Sequence, residues 1–171
     1  MTIQVKLEMK FFKNIITQKV QFMKNLNTPI RVLIVEDNIE RIDIFKVWFP
    51  SDIWIVWVDS AGKAIGILRR DKGDVYAGIM LDHDLTERTT TNADLKLCGR
   101  HVVDEIIRCV SKHIPVLVHS ENHDFSPVMV KKLEAYKFSV TRIPMSRLTR
   151  EKLNMWIDDV RDIWEDFSDI D

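Results

Sequence analysis

Cysteine and long apolar runs are both scarce in this chain of 171 residues. Its two cysteines, Cys98 and Cys109, form no CxxC motif, which argues against a disulfide framework or a redox role and favours free thiols in a reducing compartment. No stretch approaches the roughly 18 consecutive apolar residues that a membrane-spanning helix requires. We therefore expect a cytoplasmic protein without a membrane partner.

The chain also lacks an excess of charge of either sign. It has 25 Lys and Arg residues against 26 Asp and Glu residues, a formal net charge of −1 at pH 7. Total charge therefore draws the protein neither to nucleic acid nor to a membrane surface. Charged residues make up 30% and hydrophobic residues 46% of the chain, which is typical of a globular protein. The length favours one domain with a core of its own.

Residues 1–29 differ in charge from the rest of the chain. They contain five lysines and one glutamate, and their apolar residues alternate from Met1 to Phe12, which suggests a strand followed by a short helix. No signal-peptide pattern is present. We predict a basic N-terminal extension over residues 1–29, either packed on the main domain, partly disordered or acting as a surface-binding arm. The main domain is then residues 30–171.

Strand and helix patterns alternate five times from Pro29 onward. Mainly apolar runs predict strands at Ile30–Val35, Ile53–Val58, Val75–Leu81, Pro115–Val118 and Phe138–Ile143. The first of them is typical of a strand that is covered on both faces. Each run is followed by apolar residues at helical spacing. Short connections and right-handed crossovers then favour an α/β fold with a doubly wound, mostly parallel five-stranded sheet and helices on both faces.

Three of these predicted strands end in polar side chains. The polar groups are Glu36 and Asp37 after the first strand, Asp82, His83 and Asp84 after the third, and His119, Ser120 and Asn122 after the fourth. Open α/β sheets bind their ligands at the carboxyl ends of the strands. If the three strands are parallel neighbours, their polar ends converge on one pocket.

These residue types suit metal and phosphate chemistry. The carboxylates of Asp37 and Asp82, with Glu36, are hard oxygen donors that suit Mg²⁺ or Mn²⁺ and leave room for phosphate. Imidazole is the side chain suited to proton transfer near neutral pH, so His83 and His119 are candidates for that role in phosphoester cleavage. Together with Asp84, the histidines would also suit a softer metal such as Mn²⁺ or Zn²⁺.

Other side chains at the strand ends suit the phosphate itself, although each has a plain structural alternative. Ser120 and Asn122 are neutral donors for phosphate oxygens, but Asn122 is also a common turn residue. Asp37 is also a candidate helix cap, and a hydrogen-bonded position in a strand-end turn is the alternative for each histidine. The residues alone leave these alternatives open.

Residues 30–167 resemble the receiver domain of two-component response regulators. The resemblance is carried by paired acids after strand one, an aspartate after strand three, a small hydroxyl after strand four and a proline after strand five, namely Glu36-Asp37, Asp82, Ser120 and Pro144. It implies a flavodoxin-like three-layer sandwich and a Mg²⁺ site formed by the acids. It also implies phosphorylation of Asp82, after which the hydroxyl of Ser120 would move toward the phosphoryl group.

The sequence departs from the receiver pattern at several positions. The residue before Pro144 is Ile143, where the family has a lysine that pairs with the phosphate, and Arg142 is the nearest cation. The features His83-Asp84 and His119 are also unusual for the family. They are similar to a divergent branch, the cyclic-phosphate-processing receiver-like domain.

Two motifs mark that branch, and both occur here. They are Leu-Asp-His-Asp-Leu at Leu81–Leu85 and His-Ser-x-Asn at His119–Asn122. The match implies metal-dependent processing of a cyclic phosphate, either a cyclic nucleotide or a 2′,3′-cyclic RNA end. The implied roles are metal ligands at Asp37, Asp82, Glu36 and Asp84, catalysis by Asp82, His83 and His119, and phosphate binding by Ser120, Asn122 and Arg142.

Three hypotheses follow from the sequence. The first is a metal-dependent phosphoesterase acting on a phosphate-containing small molecule or an RNA end. The second is a phosphorelay receiver, phosphorylated on Asp82 by a histidine kinase. The third is a non-catalytic receiver-like module that binds a partner through its outer helices. The sequence leaves the oligomeric state open.

Overall fold

The structure is a computed structural model, and it describes residues 29–89 and 91–168. The basic extension predicted for residues 1–29 lies, except for Pro29, outside the described residues. Within the described part of the chain, no helix is long and apolar enough to cross a membrane.

Five parallel strands form one sheet: β1 (Ile30–Val35), β2 (Ile53–Val58), β3 (Gly78–Leu81), β4 (Val116–Val118) and β5 (Val140–Arg142). Their spatial order is β2-β1-β3-β4-β5. The helices that follow them are α1 (Ile39–Trp48), α2 (Ala61–Arg70), α3 (Gly99–Cys109), α4 (Ser126–Ala135) and α5 (Arg150–Ser168). This arrangement confirms the predicted doubly wound, flavodoxin-like fold.

Helices cover both faces of the sheet, which gives three layers. Side chains alternate across a strand, so Leu33 and Val35 of β1 pack in the cluster that contains α2, α3 and α4. Val32 and Ile34 pack on the opposite face, in the cluster that contains α1 and α5. All four side chains are fully buried, as the unbroken apolar run predicted.

The β3 strand is shorter than its apolar run. The prediction began at Val75, but the strand begins at Gly78. Tyr76 and Ala77 are nonetheless buried, at 3% and 1% exposure, so the run reports burial rather than strand pairing. A Cβ at Gly78 would lie 2.9 Å from the Trp156 ring, so the strand starts where α5 approaches the backbone closely.

Helix α1 begins directly after the acidic residues that end β1. Asn38 is its N-cap, and the Asn38 Oδ1 accepts a hydrogen bond from the Arg41 backbone N–H at 3.1 Å. Asparagine is a favourable cap because it satisfies a free N–H of the first turn. The cap fixes the position of the first turn of α1, and it therefore places the backbone of Arg41 next to the strand ends.

The connection between β3 and α3 is held at both ends. It contains a short 3₁₀ helix, Asp94–Lys96, and the Asp94 Oδ1 accepts a hydrogen bond from the Gly62 N–H at 2.7 Å. At its end, the Gly99 N–H donates to the carbonyl oxygen of His83 at 2.8 Å. A Cβ at Gly99 would lie 2.7 Å from His83 Cα. Glycine therefore permits α3 to begin against the backbone of the site.

Candidate functional site

The polar residues that follow β1, β3 and β4 lie side by side at one edge of the sheet. Val35 pairs with Leu81, which in turn pairs with Val118. The ladder continues one step further, because the Asp82 N–H donates to Val35 O at 3.0 Å and the His119 N–H donates to Leu81 O at 3.1 Å. The three strand ends therefore converge.

Glu36, Asp37 and Asp82 form a compact cluster, which we call the acidic triad. Each residue is at most 3% exposed, and one carboxylate oxygen from each lies within 4.8 Å of the other two. Three buried carboxylates at this separation repel one another unless positive charge compensates them. Oxygen donors of this kind suit a hard cation such as Mg²⁺ or Mn²⁺.

Arg41 supplies positive charge to the acidic triad. Its Nη1 lies 3.3 Å from Glu36 Oε2 and 3.0 Å from Asp82 Oδ2. Burial works to lower the pKa of Arg41, but these two carboxylates raise it overall, so the guanidinium stays charged. Three carboxylates against one guanidinium leave a formal charge of −2, which a divalent cation would neutralise.

Asp37 is the member of the acidic triad whose pKa is raised. Burial raises its pKa to about 6, against a hydrogen bond from the Glu87 N–H that lowers it, and repulsion from Glu36, Glu87 and Asp82 adds to the rise. That hydrogen bond reaches Asp37 Oδ2 at 2.6 Å. A cation bound at the acidic triad would lower this pKa, because it offsets the repulsion from the neighbouring carboxylates.

Glu36 is stabilised in its charged form by several donors. Burial works to raise the pKa of Glu36, but the hydrogen bond and charge interaction with His119, then the hydrogen bond from the Asn38 N–H and the charge of Arg41, lower it overall. His119 Nε2 lies 2.9 Å from Glu36 Oε2, and both side chains are fully buried. The ring of His119 packs edge-on against Phe45. This imidazole therefore orients a carboxylate of the acidic triad.

His83 takes part in a separate network at the rim of the site. Its Nδ1 lies 2.7 Å from Asp84 Oδ1, and the Asn122 amide donates to Asp84 Oδ2 at 3.1 Å. The His83 ring stacks on Phe125 with centroids 5.0 Å apart. Its backbone N–H donates to Asp82 Oδ1 at 2.6 Å. The two motifs from the sequence thus contact each other through Asp84 and Asn122.

A cavity of about 140 Å³ opens beside the acidic triad. Its lining residues are Asp37, Arg41, Asp82, Asp84, Thr86, Glu87 and Glu121. The side chains of His83 and His119 are buried next to this cavity and are not among its lining residues. Their predicted roles in proton transfer stay predictions, and any such role would require the two rings to gain access to the cavity.

The predicted phosphate-binding residues also lie outside the cavity lining. Ser120 is fully buried, and its Oγ accepts a hydrogen bond from the Asn122 N–H at 3.2 Å. The exposed Arg142 donates from Nε to Ser126 Oγ at 2.8 Å. Arg142 thus ends β5 but contacts the start of α4 rather than the carboxylates.

Sequence reasoning missed four residues of the cavity, namely Arg41, Thr86, Glu87 and Glu121. Arg41 carries a signal, because a cation in the first turn after an acidic strand end lies one helical turn from those acids. Glu87 contributes through its backbone N–H, which leaves no trace in the side-chain pattern. Glu121 occupies the variable position of the motif His119–Asn122, so the motif carries no expectation for this residue.

No protein-family model matches this chain, and no curated protein matches it. Solved structures do match. The response regulatory domain of the protein mrkE from Klebsiella pneumoniae is 18% identical, with a TM-score of 0.57, and the match covers 80% of this chain and 99% of that one. The response regulator domain of CheB from Thermotoga maritima is 15% identical, with a TM-score of 0.54, over 80% and 96% of the two chains.

A third similar structure carries a metal ion. It is the receiver domain of a sensor histidine kinase from Pseudomonas aeruginosa, with magnesium coordinated in its active-site cleft. Identity is 16% and the TM-score is 0.52, over 75% of this chain and 93% of that one. At such identities the likeness concerns the fold. This chain has the flavodoxin-like fold of response-regulator receiver domains, with an acidic cluster at the carboxyl ends of β1 and β3.

Proposed function

We propose that this chain is a receiver module that binds Mg²⁺ or Mn²⁺ and accepts a phosphoryl group on Asp82. The observation that carries the proposal is the acidic triad, whose three carboxylates come within 4.8 Å of one another at the strand ends of a receiver fold. A similar fold holds magnesium in its active-site cleft. The cavity next to Asp82 gives a phosphodonor access to this carboxylate.

The acidic triad fits a divalent cation by charge and donor type. Glu36, Asp37 and Asp82 would hold the ion, directly or through water, and the remaining charge of −2 after pairing with Arg41 matches it. When bound, the cation would neutralise charge on the transferred phosphoryl oxygens. His119 keeps Glu36 oriented, and the Glu87 N–H does the same for Asp37.

The transfer requires only a carboxylate nucleophile and a leaving group. A carboxylate oxygen of Asp82 would form a bond to phosphorus while the bond from phosphorus to the donor breaks. The leaving group keeps that electron pair, and an acyl phosphate results. Little covalent chemistry falls to the protein, so positioning and charge compensation matter most. The expected partner is a histidine kinase in the cytoplasm.

A second candidate is the processing of a cyclic phosphate at the same site. The observation that favours it is the contact between Leu81–Leu85 and His119–Asn122 through Asp84 and Asn122, which phosphorylation of Asp82 does not require. In this reaction water would attack the cyclic phosphate and one ring P–O bond would break, with the released oxygen taking a proton. The substrate would be a cyclic nucleotide or a 2′,3′-cyclic RNA end.

One pair of assays separates the candidates. The purified chain is incubated in Mg²⁺ or Mn²⁺ with a small acyl phosphate, and in parallel with 2′,3′-cyclic nucleotides. Asp82→Asn is the test variant, and Asp43→Asn is the matched control because Asp43 is an exposed carboxylate of α1 that pairs with Lys46. We expect a hydroxylamine-labile label in the wild type and in Asp43→Asn, and none in Asp82→Asn.

The other outcomes decide against the receiver proposal. Ring opening without labelling, lost in both Asp82→Asn and His119→Ala, would favour the cyclic-phosphate candidate. A label that persists in Asp82→Asn would place phosphorylation elsewhere. No label, no ring opening and no metal affinity would leave the non-catalytic module as the explanation.

A further inference from the structure

Phosphorylation of Asp82 would add charge to a cavity that is already acidic. Five of its seven lining residues are Asp or Glu, and the acyl phosphate replaces the single negative charge of the Asp82 carboxylate by a phosphoryl charge of about −1.5 to −2. A single divalent cation balances the acidic triad with Arg41 in place, so the extra negative charge of the phosphoryl group exceeds what the cation and Arg41 neutralise in the unphosphorylated site. The phosphorylated site therefore needs a cationic side chain that reaches the new group.

Arg142, the cation suggested by the sequence, is directed elsewhere. Its Nε donates to Ser126 Oγ, which is fully buried at the start of α4. Releasing Arg142 would leave the Ser126 hydroxyl without that donor. Among the described residues that line the cavity, Arg41 is the one cation.

Arg41 is already in contact with the carboxylate that would carry the phosphoryl group. Its Nη1 lies 3.0 Å from Asp82 Oδ2, and the side chain is 29% exposed. Its carboxylate contacts in the described structure use Nη1, so the rest of the guanidinium fork is available to an incoming group. The Asn38 cap fixes its backbone in the first turn of α1, which keeps the guanidinium within reach of Asp82.

We propose that Arg41 is the phosphoryl-binding cation of this site. Before phosphorylation, its guanidinium neutralises Glu36 and Asp82. After phosphorylation, the same guanidinium binds the phosphoryl oxygens, for which its planar fork is suited. This inference rests on the proposed phosphorylation of Asp82, and it assigns to α1 a role that the sequence pattern assigned to β5.

The test compares Arg41→Ala and Arg41→Lys with a matched control, Arg161→Ala. Arg161 is an arginine of α5 with a similar exposure, 28%. It pairs with Asp158 of the same helix and with Asp52. Each protein is titrated with Mg²⁺ alone, then with beryllium fluoride in saturating Mg²⁺ as a phosphoryl mimic. The rate of labelling by a small acyl phosphate is measured in the same buffer.

We expect Arg41→Ala to keep its Mg²⁺ affinity, because a competing counter-ion is gone. We expect it to lose about ten-fold or more in affinity for beryllium fluoride, since a charge-assisted hydrogen bond to the mimic is lost. Arg41→Lys should fall between Arg41→Ala and the wild type, because lysine keeps the charge but not the fork. Arg161→Ala should behave as the wild type.

The outcomes separate this inference from the proposed function. A wild type that neither binds Mg²⁺ nor takes the label overturns the proposed function, and this inference with it. A wild type that is labelled, with Arg41→Ala and Arg41→Lys binding the mimic equally well, overturns this inference alone. A loss on Arg142→Ala with none on either Arg41 variant would assign the role to β5. Mg²⁺ binding by Arg41→Lys shows that the site is folded in that variant.

Discussion

At the scale of single residues, Asp37 shows how the site trades stability for binding. Its carboxylate is buried between two other acids, and its pKa is raised to about 6. We expect Asp37→Asn to stabilise the metal-free protein at neutral pH by on the order of 1–2 kcal/mol. The rise in pKa corresponds to about 3 kcal/mol at about 1.4 kcal/mol per unit, and solvent in the adjoining cavity screens part of that amount. The amide oxygen can still accept the Glu87 N–H. Urea unfolding in the presence of a chelator measures the change.

Asp37→Asn should also lose the stabilisation that the wild type gains from bound Mg²⁺. Saturating Mg²⁺ stabilises a protein whose folded state alone binds it, and Asp37→Asn removes one ligand charge. Asp43→Asn serves as the control, because Asp43 is 65% exposed and surface changes of this kind usually stay within about 0.5 kcal/mol. A destabilised metal-free Asp37→Asn that keeps the full Mg²⁺ effect would contradict this account.

At the scale of elements, the start of α3 constrains the backbone of the site. A Cβ on Gly99 would overlap the carbonyl oxygen of Asp82 and come within 2.7 Å of His83 Cα. Because both neighbours are backbone atoms of the site, we expect Gly99→Ala to destabilise the protein by about 2 kcal/mol or more. We also expect it to weaken Mg²⁺ binding, since Asp82 must move. Thermal unfolding and metal titration measure the two effects.

Gly66 provides the matched control for this substitution. It lies inside α2, and nothing stands within 4 Å of the position its Cβ would take. Alanine is favoured over glycine in a helix interior by about 0.5–1 kcal/mol. Gly66→Ala should therefore stabilise the protein and leave metal binding unchanged. Equal effects from both substitutions would show that Gly99 is not needed for the close approach.

At the scale of the whole molecule, the acidic triad makes stability depend on pH in two directions. Between 3.8 and about 6 the folded state holds a proton on Asp37 that the unfolded chain has released. The contribution of Asp37 is therefore fully present below 3.8 and is lost as the pH rises through about 6. Glu36 acts oppositely: its pKa is lowered from 4.5, so its contribution is lost as the pH falls.

The difference between wild type and Asp37→Asn isolates the first contribution. In a chelator, the stability advantage of Asp37→Asn should grow as the pH rises from 3.8 through about 6 and then level off. Mg²⁺ should shrink or reverse that advantage above this range, because it stabilises the ionised wild-type carboxylate. Urea midpoints at a series of pH values measure both. An advantage that does not change with pH would mean that Asp37 titrates normally in the folded protein.

Much of the fold was predictable because its signals are local. The apolar runs placed all five strands. The ends of β3 and β5 were less predictable, because buried residues such as Tyr76 and Phe138 continue the apolar pattern outside the ladder. Buried loop residues and paired strand residues are both apolar, so the sequence pattern does not distinguish them.

The candidate site was predictable only in part. The position of Glu36, Asp37 and Asp82 at strand ends followed from the pattern, since parallel strands bring their carboxyl ends to one edge. The partners of His83 and His119 did not follow. Whether an imidazole lines a cavity or hydrogen-bonds to a carboxylate depends on its side-chain rotamer and on neighbours that are distant in the chain.

The sequence by itself determined the order of strand–helix units and the polar groups that end β1, β3 and β4, because periodicity and capping act over a few neighbouring residues. Only the tertiary structure decided that Arg41 contacts Asp82 while Arg142 contacts Ser126. It also decided that the backbone of Glu87 reaches Asp37. Those contacts join residues from different elements, so they depend on strand register, helix placement and the path of a connecting loop.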